Sequence, residues 1–404
     1  MPRRFDLRRF SLILLFLLTM LLPLAGEEKM NCYLLTVGPG EALYSWFGHT
    51  GIIIEEGDES RFYDFGNFSF ESESFYKNFA MGRLIYLKIG VSGNAYLNFI
   101  VRENRDVTVQ QLNIPQDKIR EMRDNLEKNT LPENNTYLYH HYRDNCSTRP
   151  RDIINKALDG QLKTVSSIPS GESYRTMFRS RTSHSFFPDW LLSMLQGRSI
   201  DEGITYWDTM FLPDELMRQL DELTVDLDGV TESVVLEKAV IAESSSPRVI
   251  PDKVPSNGFE ALFFGLAAGV LFLILQWMSG SSSRAAVISG KISFTVIMTA
   301  VSLFGLLFYF ITFFTDHDVA RQNINILLIH PFYIIPAVSL IRNRMKNFFI
   351  FWKVQQVLWL LMLIINLIFW HQENLRTAVF FELIILINLL GQYHPVFLKS
   401  GKSS

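Results

Sequence analysis

Two residues in this sequence have the types and settings that covalent catalysis requires, a cysteine and a histidine. Cys146 lies in YLYHHYRDNCSTRPRDI, where an aromatic-rich stretch ends in polar residues and a helical pattern begins near Ser147. Pro150 supports this start, because proline is tolerated in the first turn of a helix. The free N–H groups and dipole of a helix N-terminus favour thiolate over thiol. The pattern therefore predicts a nucleophilic cysteine at residue 146.

His49 is the histidine best placed to act as the base. It lies in SWFGHTGIIIEEGDESRFYDFGNF, where apolar and β-branched residues flank a turn signal at residues 56–59 and predict a β-hairpin. A turn centred there sets His49 opposite about Gly66 and places Asp64 diagonally beside it, within reach of the imidazole. A register slipped by one residue would bring Asn67 to the same place. Such a site assembles in space from a thiolate, an imidazole and an orienting group.

Each of these residues also has a simpler interpretation. A lone histidine in a strand is more often a core or surface residue, and a lone cysteine is usually a small buried hydrophobe. Cys32 is the only other cysteine, and two thiols in an oxidising compartment could form a structural disulfide. His140 and His141 stand nearer to Cys146 in sequence, but neighbours along a strand point to opposite faces, so only one could approach it. In the catalytic interpretation, backbone N–H groups at Cys146 and its neighbours would stabilise an oxyanion.

Hydropathy divides the 404 residues into two parts, because the long apolar runs lie almost entirely after residue 259. Residues 1–26 combine a basic start, an apolar stretch and small residues, as in a secretory signal peptide; an uncleaved anchor is the alternative. Residues 27–242 alternate strand-like and helix-like patterns and predict one globular domain. Residues 243–258, rich in Ser, Pro and charge, predict a linker. Either form of the first segment exports the domain.

A transmembrane domain of about five helices is predicted for residues 259–392. The last helix is the weakest, because Glu382 interrupts it, and an intramembrane carboxylate must face other helices or mark function. Lys and Arg after the first and third spans and in the tail 393–404 predict that these sides are cytoplasmic. The loops 315–323 and 371–376 should then face the exterior, beside the soluble domain. The apolar segments are 259–278, 292–314, 324–341, 351–370 and 377–390.

Charge and ligand content argue against two classes of function. The net charge of −3, without a dense Lys/Arg block, is not the pattern that binds nucleic acid. No cluster of His and Cys residues has the spacing of a zinc site, so neither a metal nor another cofactor is expected. The remaining classes of function are enzymes that use side chains alone and proteins that bind without catalysis.

Several motifs follow one another along the chain: FGHTGI, YDFGNF, DNCSTRPRDI, WDTMFLPDEL and FFTDHDVARQNINILLIHP. Together they resemble the Lnb family of bacterial lipoprotein N-acyltransferases, whose N-terminal domain is periplasmic. The resemblance covers the exported domain and continues into the membrane part. It implies a multi-pass protein of the cytoplasmic (inner) membrane, with a Cys and His site that maps onto Cys146 and His49.

The order of His49 before Cys146, with the cysteine at a helix start, also resembles circularly permuted NlpC-type folds. These include relatives of lecithin:retinol acyltransferase, which take an acyl chain from a phospholipid onto cysteine and pass it to an acceptor. The resemblance implies an α+β fold, with a permuted NlpC/papain-like periplasmic domain followed by an all-α transmembrane bundle. His140 and His141 depart from the pattern, since an acidic or amide residue and an aromatic one are expected there.

The implied activity moves an acyl chain from a phospholipid, through a thioester on Cys146, to the N-terminal amine of a diacylglyceryl-cysteine lipoprotein. His49 and Asp64 would complete the catalytic set. The expected partners are a phospholipid acyl donor, a diacylated lipoprotein acceptor and the membrane, and no nucleic acid. The expected substrate contacts are Asn145, Arg149, His317, Asn323 and Asn325.

Two alternatives use the same features differently. A membrane-anchored periplasmic cysteine hydrolase or peptidase would use Cys146 and His49 with water as acceptor and peptidoglycan peptides as substrate. A non-enzymatic envelope binding module would hold Cys32 and Cys146 as a disulfide. The state of the two thiols separates the module from the enzymes, and the identity of the acceptor separates the two enzymes.

Overall fold

Two parts of the chain differ in kind: strands and helices occupy residues 30–242, and apolar helices follow from Gly258. The first part packs helices on a sheet and the second is helical, so the predicted α+β class with a helical membrane part is confirmed. The predicted signal peptide at 1–26 lies outside the described residues, as does nearly all of the predicted tail. The computed structural model describes residues 29–68, 74–227 and 229–393.

A seven-stranded antiparallel sheet is the frame of the first part. The strands are β1 Met30–Val37, β2 His49–Glu56, β3 Glu59–Asn67, β4 Ile85–Ser92, β5 Val107–Leu112, β6 Thr136–Leu138, β7 Pro169–Ser173, β8 Gly203–Thr205, β9 Thr224–Leu227, β10 Val230–Ser233 and β11 Val235–Ala242. The order in the large sheet is β11-β5-β1-β2-β3-β4-β6, while β7 pairs with β8 and β9 with β10. The predicted hairpin is thus the centre of the sheet.

Helices cover both faces of this sheet, which explains why β1 and β2 are buried along most of their length. The helices are α1 Phe75–Met81, α2 Gly93–Ile100, α3 Gln116–Thr130, α4 Thr148–Ala157, α5 Gln161–Ser166, α6 Tyr174–Thr182, α7 Phe186–Leu195, α8 Tyr206–Thr209 and α9 Pro213–Glu222. One face packs on α3, α4 and α9, and the other on α2. Helix α4 contacts β2, so the elements that carry Cys146 and His49 are neighbours.

The predicted linker lies against the domain. Residues 243–257 contain no helix or strand, as their composition predicted. Within them, Arg248 donates a hydrogen bond to the carbonyl oxygen of Gly40 (3.0 Å) and its guanidinium lies over the Trp46 ring (5.1 Å). The connection to the membrane part is therefore irregular in backbone yet attached.

Four apolar segments in the described chain are long enough to cross a bilayer, against the prediction of about five. They are 258–279, 284–314, 324–341 and 345–370. The fifth predicted segment forms a helix of 16 residues that packs along the first, and its crossing of the bilayer stays a prediction. The helices are α10 Gly258–Ser279, α11 Arg284–Phe314, α12 Ile334–Ile341, α13 Met345–Ile365 and α14 Leu375–Leu390.

The third apolar segment is not a continuous helix. Short 3₁₀ turns occupy Ile324–Leu327 and Pro331–Tyr333, and only α12 is α-helical. In α14, Glu382 faces another helix, as expected of an intramembrane carboxylate: both of its oxygens accept from Gln356 Nε2 of α13 (3.1 and 3.2 Å). The Glu382 carboxylate is therefore hydrogen-bonded within the protein.

A buried ion network fastens the α/β domain to the membrane bundle. Asp189 of α7 pairs with Arg376 of α14 and, at 3.4 Å, with Arg179 of α6. Arg179 also pairs with Glu373 at 2.6 Å. Three of these four side chains are almost fully buried, and buried charges persist only when paired, so the contact resists separation.

Both loops predicted to face the exterior contact the α/β domain. In loop 315–323, Asp318 Oδ1 accepts from His140 Nε2 (3.0 Å) and Asp318 Oδ2 pairs with Arg143 (3.2 Å). Loop 371–376 takes part through the ion network just described. These contacts agree with the orientation that the loop charges predicted.

Candidate active site

The central hairpin places His49 beside Asp64. The register between β2 and β3 pairs Gly51 with Asp64, and two residues further it sets His49 beside Gly66. His49 Nε2–H donates to Asp64 Oδ1 at 3.1 Å. The unslipped register expected from the turn is therefore the one that forms, and Nδ1 is the ring nitrogen left for proton transfer.

Gly66 makes room for the imidazole. A Cβ at this position would lie 2.6 Å from His49 Cε1, so any larger residue would displace the ring. The backbone N–H of Gly66 also donates to Asp64 Oδ1 at 2.6 Å. The carboxylate is buried and oriented by two donors, which in turn orients the imidazole.

The two side chains form a charged pair. Burial is the largest single influence and opposes the charge on His49, but the Asp64 carboxylate, Tyr96 and Cys146 together raise the pKa of His49 well above its ordinary value. Burial also opposes the charge on Asp64, yet His49 and the Gly66 N–H lower the pKa of that carboxyl below its ordinary value. Near neutral pH the imidazole therefore carries a proton that it can deliver.

Cys146 lies two residues before the first residue of α4, with its side chain partly exposed and its thiol free. Its charge is among those that raise the pKa of His49. Burial is the main cause that raises the pKa values of Tyr86 and Tyr139, and the charge of Cys146 adds to it at both. The sulfur therefore lies close enough to the imidazole and to these tyrosines for its charge to act on them.

Asn145 holds the cysteine loop onto the start of α4. Its Oδ1 accepts from the backbone N–H groups of Ser147 (2.8 Å) and Thr148 (2.9 Å), and its Nδ2 donates to the carbonyl oxygens of His141 (2.7 Å) and Phe211 (3.0 Å). The residue is 4% exposed, and its amide has no bond left to offer a substrate. The expected substrate contact at Asn145 is replaced by a positioning role.

Asn145→Ala should lower the free energy of unfolding by about 2 to 4 kcal/mol, because a helix cap is lost and buried groups lose their partners. The loosened loop should also change the rate at which a thiol reagent labels Cys146. Asn145→Asp keeps the acceptor oxygens and should recover part of the stability. Thermal unfolding in detergent and the rate of Cys146 labelling check both effects. Equal stability of all three proteins would contradict the capping role.

Cys32 takes no part in this site. It lies on β1 between Ile54 of β2 and Leu112 of β5, with none of its surface exposed. Burial raises the pKa of its thiol to about 12, so the thiol stays protonated and unreactive. Both cysteines are free, which corrects the disulfide alternative and removes the pairing on which the binding module depended.

Cys32→Ala should leave the reactivity of Cys146 unchanged and cost about 1 kcal/mol of stability, the usual effect of a methyl-sized cavity. Thiol titration should find only Cys146 accessible in the native protein and both cysteines after denaturation. Equal loss of activity in Cys32→Ala and Cys146→Ala would instead favour a paired role.

The two histidines nearest to Cys146 in sequence have other roles. His140 Nε2 donates to Asp318, and its Nδ1 accepts from the Tyr142 backbone N–H (3.2 Å). His141 packs edge-on against surrounding aromatic rings, and burial lowers its pKa to about 3. Both ring nitrogens of His140 are hydrogen-bonded, and the His141 ring resists protonation. Neither histidine is therefore a good base for the Cys146 sulfur. His49 is therefore the candidate base.

Arg149, predicted to contact substrate, forms a two-point ion pair with Asp144. Its Nε lies 2.7 Å from Oδ1, and its Nη2 donates to Oδ2 at 2.8 Å. The guanidinium lies over the Tyr137 ring at 3.8 Å. A substrate contact at Arg149 stays a prediction, and any anion there would share the guanidinium with Asp144.

The predicted contacts in the membrane part lie between domains. Asn323 and Asn325 are 2% and 1% exposed, and each Nδ2 donates to the Met194 carbonyl oxygen of α7 (2.9 and 3.1 Å). His317 Nε2 donates to the carbonyl oxygen of Phe79 in α1 (3.0 Å). The two buried amides therefore fasten α7 to the bundle, and this corrects their predicted role in seating the acceptor.

Sequence reasoning did not single out the tyrosines on which the charge of Cys146 acts. Tyr86 of β4 and Tyr139 stack with ring centroids 4.2 Å apart, and the Tyr137 hydroxyl donates to the Phe65 carbonyl oxygen. The run YLYHHY was a signal for two of them, whereas Tyr86 comes from a distant strand.

Within the described ranges, no group of three His, Cys, Asp or Glu side chains could hold a metal ion.

The fold and the site define a membrane-anchored α+β domain that carries a free cysteine beside a His–Asp pair. Two family models match in chain order: the Lnb N-terminal periplasmic domain matches residues 27–180, and the Lnb transmembrane domain matches residues 259–397. The chain belongs to the Lnb family, and it is a multi-pass inner-membrane protein with a periplasmic N-terminal domain. No curated protein and no solved structure matches it.

Proposed function

We propose that this protein is a lipoprotein N-acyltransferase that moves an acyl chain from a phospholipid, through a thioester on Cys146, to the N-terminal amine of a diacylglyceryl-cysteine lipoprotein. The observation that carries the proposal is the His49–Asp64 pair, 3.1 Å apart, on a strand that contacts the helix behind the free Cys146 thiol, whose charge acts on the imidazole. Membership of the Lnb family supports the same class of reaction.

The attachment of the domain to the bundle supports lipid substrates. An acyl chain leaves the bilayer at a cost of about 0.8 kcal/mol per CH₂ group, so the site has to come to the membrane. The buried network of Asp189, Arg179 and Arg376 holds the domain on the bundle in this way. A soluble peptide substrate would not require such an attachment.

In the first half-reaction, the Cys146 thiolate attacks the ester carbonyl of the phospholipid. The new C–S bond forms as the C–O bond breaks, and His49 Nδ1 gives its proton to the departing glycerol oxygen. A lysophospholipid leaves, and an acyl thioester stays on Cys146. Asp64 keeps the imidazole oriented and stabilises its charge.

In the second half-reaction, the uncharged amine of the diacylated lipoprotein attacks the thioester carbonyl. The C–N bond forms as the C–S bond breaks, His49 Nδ1 accepts the proton of the amine, and the Cys146 thiolate is restored. The product is a triacylated lipoprotein. The enzyme returns to its starting protonation state without an external reactant.

The oxyanion of each tetrahedral intermediate needs N–H donors near the sulfur. The N–H groups of Ser147 and Thr148 are already bonded to Asn145 Oδ1, which corrects the expectation that these neighbours serve. We assign this role to the backbone N–H of Cys146. Arg149 remains a proposed substrate contact, and His317 remains a proposed contact for the lipoprotein acceptor.

Purified protein in lipid vesicles tests the proposal, with a phospholipid labelled in its acyl chain and a synthetic diacylated lipopeptide. We expect the lipopeptide mass to increase by one acyl chain, with one lysophospholipid formed per chain transferred. Free fatty acid without transfer, or cleavage of a peptidoglycan peptide, would identify the cysteine hydrolase instead. The absence of all three products would refute the proposal.

A further inference from the structure

The short helix α1 is held at the end of a membrane span. Span α11 ends at Phe314, and two residues later the backbone N–H of Asp316 donates to the Met81 carbonyl oxygen (2.9 Å). His317 Nε2 donates to the carbonyl oxygen of Phe79 (3.0 Å). Helix α1 therefore lies at the level where the bundle leaves the bilayer.

Two further features keep this contact close. Gly82 has φ +73°, and a Cβ there would lie 2.7 Å from the backbone nitrogen of His317. Arg83 pairs with Asp316 at 2.6 Å, although both side chains are half exposed. The C-terminal end of α1 therefore packs directly against the start of loop 315–323.

Helix α1 turns an aromatic face outward at this level. Phe75, Tyr76 and Phe79 fall on one side at helical spacing, while Lys77 falls on another. Tyr76 is 74% exposed and Phe79 is 54% exposed, and the Phe75 and Phe79 rings stack at 6.2 Å. Aromatic side chains are favoured at the boundary between lipid and water. The aromatic face of α1 is therefore suited to contact with lipid.

A path of aromatic contacts leads from this face to the sulfur. Phe75 lies 6.1 Å from Phe68, Phe68 lies 5.0 Å from Tyr86, and Tyr86 lies 4.2 Å from Tyr139. Tyr139 adjoins the bridge between His140 and Asp144 that leads into Cys146, and the charge of Cys146 acts on both tyrosines. The path therefore joins the membrane boundary to the nucleophile without a charged side chain among its members.

We propose that this aromatic path receives the acyl chain of a bilayer phospholipid and leads its ester to Cys146, with the outer face of α1 seated among the lipid headgroups. The inference rests on the proposed function and names the route of the donor. Phospholipid is the occupant because it is the bulk component that this face meets at the bilayer surface. An alkyl chain that follows the rings stays out of water until its carbonyl reaches the sulfur.

The activity test compares two acyl donors in the absence of lipoprotein. The double variant Tyr76→Ser/Phe79→Ser should acylate Cys146 about tenfold more slowly from long-chain phospholipid vesicles, because an apolar contact with lipid is lost. Its reaction with a water-soluble short-chain p-nitrophenyl ester should be unchanged. Lys77→Ser, on the polar side of the same helix, should leave both rates unchanged. An unchanged vesicle rate, or equal slowing with both donors, would overturn the proposal.

A second measurement does not depend on catalysis. In a Cys146→Ser background, where Cys32 is buried, bimane placed by Tyr76→Cys should be quenched by nitroxide-labelled phospholipid more strongly than bimane placed by Lys77→Cys. Equal quenching at residues 76 and 77, or quenching at neither, would overturn the placement of α1 at the membrane. Quenching at residue 76, together with a parent protein whose Cys146 is acylated by no donor, would refute the proposed function and leave the placement of α1 at the membrane standing.

Discussion

Cys146→Ala should lower acyl transfer by about three orders of magnitude or more, because the thioester that carries the chain cannot form. The adjacent hydroxyl cannot substitute, since Ser147 is fully buried and donates to the Met210 carbonyl oxygen at 2.8 Å. The measurement is the rate at which labelled acyl chain appears on a diacylated lipopeptide.

Cys32→Ala is the matched control for this variant, since it removes the other thiol of the chain. It should keep the full rate, and the unfolding temperature of Cys146→Ala should stay close to that of the parent protein. Transfer that survives in Cys146→Ala at a comparable rate would show that another group is the nucleophile.

Asp64→Asn should slow acyl transfer by about 100-fold or more and change its pH dependence. The Asp64 carboxylate is the charge that raises the pKa of His49, so its removal lets that pKa fall. The imidazolium that protonates the leaving oxygen is then lost at lower pH. The alkaline limb of the pH profile should therefore move toward acid, which initial rates with phospholipid donor across a pH series would measure.

The same pair also makes stability depend on pH. The raised pKa of His49 contributes stability that is complete below its ordinary value of about 6.5 and is lost as the pH rises through the raised value. The lowered pKa of Asp64 contributes stability that is lost as the pH falls through the lowered value.

Asp58→Asn, at the exposed turn of the same hairpin, is the control for the effect of Asp64→Asn on the pH profile of acyl transfer. An unshifted alkaline limb in Asp64→Asn would contradict the assigned pairing.

The central hairpin could be predicted because its information is local. A turn signal at residues 56–59 sets the register, and the two-residue period of a strand then places Asp64 beside His49. The helix start at Cys146 is local in the same way, since Pro150 and the change in pattern lie within one turn. The His49–Asp64 pair and the position of Cys146 just before a helix could therefore be predicted from the sequence.

Roles that depend on distant partners could not be assigned in this way. Asn145 was expected to contact substrate, yet one of its four bonds goes to Phe211, far along the chain. Asn323 and Asn325 were expected at the exterior surface, but the end of α7 packs on them and takes their donors. A polar residue in a predicted loop has the same sequence signal whether water or another domain covers it.

The membrane part shows a similar division. Hydropathy located every apolar segment, because length and composition suffice for that. It could not show that 324–341 breaks into 3₁₀ turns or that α14 is only 16 residues long, since the bounds of these helices depend on packing between helices. The contact of Glu382 with Gln356 of α13 likewise appears only once the helices are placed together.

The intact mass of the protein after incubation with phospholipid, without a lipoprotein acceptor, tests most directly whether Cys146 carries the acyl chain. We expect a gain of one acyl chain, confined to the peptide that contains Cys146, released by neutral hydroxylamine and transferred when a diacylated lipopeptide is added. An unmodified Cys146 during ongoing transfer, or an acyl chain located on another residue, would contradict this mechanism.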